Sequence, residues 1–449
     1  MKLHLVSLGC AKNQVDSENM MGRLRQAGWS LTDDPEAAHT IVVNTCSFIE
    51  AAAQESIDTI IELAGLKKTG ACRRLVVAGC LPERYREKIV QTMPEVDMFL
   101  GTGAFDRIVD AVGDAGSARA AILPDPDRAP GHDRDCPRVL STPHMAYLKI
   151  AEGCSRDCTY CIIPRLRGRH RSRPLEDLIA EAKELITAGV KELILVAQDT
   201  TAYGRDLVPS RSLGRLVDSL AGLGAHKRNG SDTPWIRVLY GHPESIDDEF
   251  IRAVAAHPNV CSYFDLPIQH ASNRVLKRMG RGTTRERLDA LCRRIRGVVP
   301  DAVLRTTVIV GFPGETEKDF DELMRFAEEI RFDHLGAFVY SDAEDIPSHR
   351  LRGHVPPAIA QERYDQLMSA QIDIAAEMNQ GRIDKIYPVL IEENLGNHLF
   401  AGRTYFQAPE VDGVTYVNTA ASGHALTIGC FTRVRVNDAM EYDLMGEVA

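Results

Sequence analysis

The 449-residue chain has no apolar run that approaches the ~18 residues of a membrane-spanning helix. It has no low-complexity tract and no short internal repeat. It also lacks a net positive charge. Lys and Arg number 53 against 63 Asp and Glu, a formal charge of -10. That balance argues against an extended nucleic-acid-binding surface, though not against a local basic patch, and it suits a strongly basic protein partner. The opening MKLHLVSLGCAKN does not read as an export signal. Its apolar stretch is short, runs straight into Lys12 and has no small-residue cleavage site. The expectation is a cytoplasmic protein without membrane association. Cysteine, by contrast, is plentiful, with 11 in the chain. In a large chain without an export signal, metal or redox chemistry is a better first assignment for them than disulfides.

Strand and helix patterns alternate over the first hundred residues. LHLVSL, TIVVN and RLVVA are short apolar runs that suit buried parallel strands, with a fourth near Val96–Leu100. Residues 13–27 are helical in pattern and end at Gly28. Residues 47–64 form a second helix, with Ser47 and Glu50 spaced as a capping box. The series predicts a flavodoxin-like α/β domain over 1–115. A proline-rich polar stretch, 116–143, reads as a linker. Six further strand–helix units over 144–380 predict an open partial (βα)6 barrel, with a long helix over 356–380 following them. Short strands with turn residues over 381–449 predict a small antiparallel β-barrel.

The strongest local signal is EGCSRDCTYCIIP, in which Cys154, Cys158 and Cys161 are spaced C-x3-C-x2-C. Three thiolates on one loop can ligate three irons of a 4Fe–4S cubane and leave the fourth iron open. S-adenosylmethionine (SAM) offers an amine and a carboxylate to an open iron. One electron from the cluster would then split its sulfonium and release a 5′-deoxyadenosyl radical. Zinc is the competing assignment. It wants four ligands, and His170, the nearest other candidate, lies in an arginine-rich run. The motif also follows the first barrel strand, and active sites of such folds sit at strand C-terminal ends.

Cys10, Cys46 and Cys80 are far apart in sequence but equivalent in place. Each ends a predicted strand of the first domain: VSLGC, VVNTC, VVAGC. Parallel strands present these ends at one sheet edge, where ligands collect. The alternative is three buried structural cysteines. We expect a second 4Fe–4S cluster with one open iron, able to deliver sulfur to a carbon radical made at the first. Cys72, Cys136, Cys261, Cys292 and Cys430 form no such set.

SLGCAKNQVDSE, EGCSRDCTYCIIPRLRGRHRSR, VAQDTTAYG, DLPIQHAS and TTVIVGFPGET together resemble the radical SAM methylthiotransferase family along essentially the whole chain. The C-terminal barrel resembles a TRAM domain. The resemblance implies methylthio insertion that uses SAM both as methyl source and as radical source, with an electron donor and a sulfur source as further partners. One branch of the family modifies an adenosine in transfer RNA. The other modifies an aspartate β-carbon in protein twelve of the small ribosomal subunit. SLGCAKN and PIQHAS are similar to the ribosomal branch. Residues 382–449 carry five basic against nine acidic side chains, which suits a basic ribosomal protein better than RNA, so no nucleic-acid binding is required. Glu392, Glu393 and Asp412 are candidates to face that partner.

Other candidates lie at barrel strand ends. Gln198 and Asp199 are catalytic candidates that could hydrogen-bond SAM or substrate. Tyr160, before the third cysteine, and Gly311 are candidate cofactor contacts, Gly311 through close backbone approach or tight packing. His270 could be catalytic or a satisfied structural histidine. RLRGRHRSR, residues 165–173, carries five arginines near the radical site, where one could hold a carboxylate in bidentate fashion.

Overall fold

The computed structural model describes residues 1–113, 120–129, 137–224, 233–420 and 425–449. Its first body is one parallel sheet built from β1 (Lys2–Ser7), β2 (Ser30–Leu31), β3 (Thr40–Thr45), β4 (Arg74–Gly79), β5 (Met98–Leu100) and β6 (Ala120–Ile122). The order β2-β1-β3-β4-β5-β6 contains the flavodoxin-like 2-1-3-4-5 arrangement. Every residue of β3 and β4 is buried, as continuous apolar runs under two helical layers require. Helix Ala11–Gln26 follows β1, and Gly28 just past its end takes φ +87°.

Two local expectations change. The second helix starts at Glu50, after Ile49, with no side-chain cap, so Ser47 and Glu50 form no capping box. Residues 46–49 instead make a cysteine-bearing loop. The Ser56 hydroxyl clamps it, accepting from the Cys46 N–H (3.2 Å) and donating to the Cys46 carbonyl (2.8 Å). Strand β6 falls inside the stretch read as a linker, where prolines hid three residues that pair with β5. Cys136 lies outside the described residues.

The second body has six parallel barrel strands: β7 (Met145–Lys149), then, after the short pair β8 (Ala151–Glu152) and β9 (Arg171–Ser172), β10 (Glu192–Val196), β11 (Trp235–Val238), β12 (Tyr263–Asp265), β13 (Val303–Val310) and β14 (His334–Val339). They form triplets β11-β10-β7 and β12-β13-β14, joined at a bridge between Ile236 and Val260. Helix Pro357–Gln380 packs along β14. The result is the open arc expected from six units.

The third body is a closed barrel of β15 (Ile386–Gly396), β16 (Leu399–Arg403), β17 (Thr415–Asn418), β18 (Phe431–Ala439) and β19 (Leu444–Val448), in the order β15-β16-β17-β19-β18. It is not purely antiparallel, because β19 closes it by running parallel to β17. This barrel docks at the starts of the six-strand arc. Glu192 opens β10 and accepts from Arg237 (2.7 Å) and Arg403 (2.6 Å), both fully buried. Tyr263 opens β12 and donates to Asp412 (2.6 Å). Phe406 and Ala408 pack on Tyr147, Ile194 and Tyr263. Two of the three candidates for an acidic docking face therefore turn inward. Glu392 pairs with Arg403 (2.6 Å), Asp412 is buried, and Glu393 is exposed.

Candidate active site

At the first sheet's strand ends, the three cysteine loops are knitted together by two polar side chains. Asn13 donates to the Leu8 and Thr45 carbonyls (both 2.9 Å), tying the segment before Cys10 to the segment before Cys46. The Thr45 hydroxyl donates to the Ala78 carbonyl (2.6 Å) and accepts from the Leu81 N–H (3.2 Å), which ties in the turn around Cys80. Gly9 has φ +97°, and a Cβ there would lie 2.7 Å from the Cys46 Cβ, so glycine lets the first two loops close on each other.

Two cations enter this edge. Arg167 is buried and donates to Asp16 (2.6 Å), to the Asn13 carbonyl oxygen of its amide, and towards the Cys80 Sγ (3.7 Å). Lys12 lies 3.4 Å from the centroid of the Tyr240 ring. Burial opposes ionisation of Cys10, yet Lys12 and Arg167 hold its pKa below the ordinary thiol value. Burial pushes Cys80 up to about 12. Cluster ligands bind as thiolates, so cluster insertion must displace that proton.

The second triplet sits on one loop after β7. The Cys154 N–H donates to the Gly168 carbonyl (3.0 Å), and the Cys161 N–H to the Cys158 carbonyl (3.1 Å). Arg156, between the first two cysteines, donates to Asp199 (2.8 Å) and Ser245 (2.5 Å). The Tyr160 hydroxyl accepts from Arg281 (3.1 Å), whose other nitrogens bond His242 (2.5 Å) and the Pro267 carbonyl (3.2 Å). Burial, reinforced by Arg281 and Arg156, lowers the His242 pKa to about 3, so it is a neutral acceptor there.

Of the residues singled out in the sequence, Gln198 donates to Glu152 (2.8 Å), and its own Oε1 is buried without a partner. An unpaired acceptor at a strand end fits the amine of SAM. Asp199 also accepts from the Thr201 N–H and hydroxyl (3.1 and 2.6 Å), so it braces Arg156. His270 is fully buried, accepts from the Ser272 N–H (2.9 Å) and lies 3.7 Å from Glu315. Gly311 has φ +75°, and a Cβ there would lie 2.4 Å from that of Ala360, so it meets the long helix. The arginine run splits. Arg167 joins the domains, Arg173 meets Glu181 (2.6 Å), Arg171 meets the Pro126 carbonyl (2.9 Å), Arg165 meets the Asp345 carbonyl (2.9 Å), and Arg169 is exposed.

Sequence reasoning missed Lys12, Lys149, Glu152, Arg156, His242 and Arg281. Lys149 ends β7 and Glu152 ends β8, just ahead of the cysteine loop, a signal that could have marked them. Arg281 follows a helix and carried none. Lys149 pairs with Asp16 of the first body and with Glu152 (2.8 Å), so the two cysteine sites share one buried charge network. Among the described residues, no three His, Cys, Asp or Glu side chains close around a single ion. A cubane asks for something else, because each thiolate takes its own iron. Three unpaired thiols per site fit that demand.

Residues 148–327 match the radical SAM superfamily, residues 2–101 the family described as Uncharacterized protein family UPF0004, and residues 383–449 the TRAM domain. The fold and the cysteine loop thus define a radical SAM protein, a class that uses SAM with a 4Fe–4S cluster. The ribosomal protein uS12 methylthiotransferase RimO of Desulfosudis oleivorans is 51% identical, with both chains covered in full. Its namesake in Clostridioides difficile is 50% identical over 100% of this chain and 99% of its own. The chain belongs to this methylthiotransferase family. A radical SAM methyltransferase, TsrM from Kitasatospora setae, shares the fold at 13% identity, with a TM-score of 0.55 over 83% of this chain and 89% of that one.

Proposed function

We propose that this chain inserts a methylthio group at the β-carbon of an aspartate in ribosomal protein uS12, as a sulfur-group transferase with two 4Fe–4S clusters. The observation that carries the reading is the pair of cysteine triplets joined across one interface by Arg167, Asp16 and Lys149, in a chain that matches uS12 methylthiotransferases over its full length. Cys154, Cys158 and Cys161 would hold one cluster, and Cys10, Cys46 and Cys80 the other. Bound there with SAM, the cluster on Cys154, Cys158 and Cys161 would supply a 5′-deoxyadenosyl radical, and the one on Cys10, Cys46 and Cys80 a site for the sulfur that is transferred.

The chain's own residues do the rest. Arg156, locked by Asp199, and Tyr160, locked by Arg281, fix the cysteine loop. Gln198 would offer its buried oxygen to the SAM amine, and Glu152 fixes the side chain in that orientation. Asn13 and Thr45 hold the distributed triplet in register. An electron donor and a sulfur source complete the reaction, and the substrate sets the cytoplasm as the site of action. No helix among the described residues is long and apolar enough to cross a membrane.

The test supplies reduced, iron-loaded protein with SAM and sulfide. It offers uS12 (free or in the small subunit) in one reaction and isopentenylated transfer RNA in another. One methylthio group on the uS12 aspartate, read by mass spectrometry, is the expected outcome. Product on the RNA without product on uS12 overturns the assignment.

A further inference from the structure

We infer that Lys12 binds the carboxylate of the substrate aspartate and so selects an acidic side chain at the reacting position. This rests on the protein-substrate reading above. A methylthio group added at an aspartate β-carbon leaves the neighbouring carboxylate free. That carboxylate enters a water-poor site and needs a cation.

The cations near the two cysteine sites are largely committed. Arg167 and Lys149 share Asp16 and Glu152. Arg156 is paired with Asp199, and Arg305 with Asp265 and Asp412. Arg281 has all three nitrogens on Tyr160, His242 and Pro267. The run 165–173, where a carboxylate clamp was expected, has its buried members engaged with protein partners. Lys12 is different. It is 7% exposed, yet among the described residues its ammonium has no carboxylate within salt-bridge reach and rests on the Tyr240 ring at 3.4 Å.

Its place also fits. Lys12 lies in the first turn of the helix that Cys10 caps, beside the first triplet. Tyr240 follows β11 at the ends of the barrel strands, two residues before His242, which bonds Arg281 and through it Tyr160 of the second triplet's loop. Lys12 thus touches both halves of the site. Tyr240 is held in the left-handed region, φ +62°, with its N–H donating to Asp265 (2.8 Å) and its carbonyl accepting from the Thr200 N–H (3.1 Å). A strained tyrosine fixed at both ends is a rigid platform for the ammonium and keeps its remaining N–H donors for a ligand.

The test measures binding of two substrates to the full, iron-loaded chain: uS12, and uS12 with its target aspartate changed to asparagine. Wild type, Lys12→Met and Lys12→Arg are compared, and the electron paramagnetic resonance signal and potential of the cluster on Cys10, Cys46 and Cys80 are recorded alongside. Lys12→Met should weaken binding of the aspartate form by about 10- to 100-fold, the usual worth of a charge-assisted hydrogen bond. It should bind the asparagine form as wild type does, and Lys12→Arg should recover most of the loss. Equal weakening for both substrates, or no weakening, overturns the inference. So does a changed cluster potential with substrate binding intact, which would assign Lys12 to the cluster. A wild-type chain that leaves uS12 unmodified would overturn the substrate reading itself, and the Lys12 assignment with it.

Discussion

The two cysteine triplets solve one chemical problem in opposite ways. Cys154, Cys158 and Cys161 share one eight-residue loop, so the chain's own covalent path brings them together. Cys10, Cys46 and Cys80 sit after three different strands, and their convergence depends on the whole sheet. The local triplet is braced by partners from later barrel loops, Asp199, Ser245 and Arg281. The distributed triplet is braced by its own sheet, through Asn13 and Thr45, and by one guanidinium lent from the other domain, Arg167. A local site can thus form with its loop, whereas a distributed site forms only with its domain and its neighbour.

The sharpest break in this comparison removes one triplet at a time. Changing Cys154, Cys158 and Cys161 to Ala should abolish SAM cleavage, while the other site keeps its iron. Changing Cys10, Cys46 and Cys80 to Ala should leave cleavage and abolish methylthio product. Iron analysis should fall from about eight to about four per chain in each case, for two four-iron clusters. Full product from the second variant would end the division of labour.

A smaller effect tests the borrowed guanidinium. Arg167→Met should cost about 3–5 kcal/mol, the usual loss on breaking a buried pair, read by denaturant unfolding. It should also lower the potential of the cluster on Cys10, Cys46 and Cys80, since a cation and an N–H···S contact are lost, and leave the one on Cys154, Cys158 and Cys161 unchanged. Arg167→Lys should restore part of the potential. Equal shifts at both clusters would refute the asymmetry.

The smallest effect is pH-dependent and concerns the third body. Burial opposes ionisation of Glu392, yet His144 and Arg403 hold its pKa at about 2. The folded value lies below the unfolded one, near 4.3. The stabilisation is therefore complete above about pH 4.3 and is lost as pH falls towards about 2. It should amount to about 1–3 kcal/mol, and Glu392→Gln should flatten the stability profile in that window. An unchanged profile would show that this carboxylate does not fasten the barrel.

What the sequence revealed follows the same division. The local triplet was legible from spacing, and the distributed one from strand ends, because both are properties of short segments. Ser47 was misread because its loop carries a cysteine that the Ser56 clamp pulls away from the helix. Glu392 and Asp412 looked like surface charge because composition does not register partners such as Arg403 and Tyr263, the latter 149 residues away from Asp412. Arg167 could not be picked from five arginines, since what sets it apart is Asp16, 151 residues earlier.

The docking of the small barrel also has a consequence in time. Glu192 and Arg237 are made early, but Arg403, the other cation on Glu192, comes 211 residues after that carboxylate. A nascent chain still attached to its ribosome would hold the starts of β7, β10 and β11 open to water until the barrel strands Ile386–Gly396 to Leu444–Val448 emerge. The order of synthesis therefore leaves the strand starts of the arc in need of protection, and their cover arrives only with the small barrel.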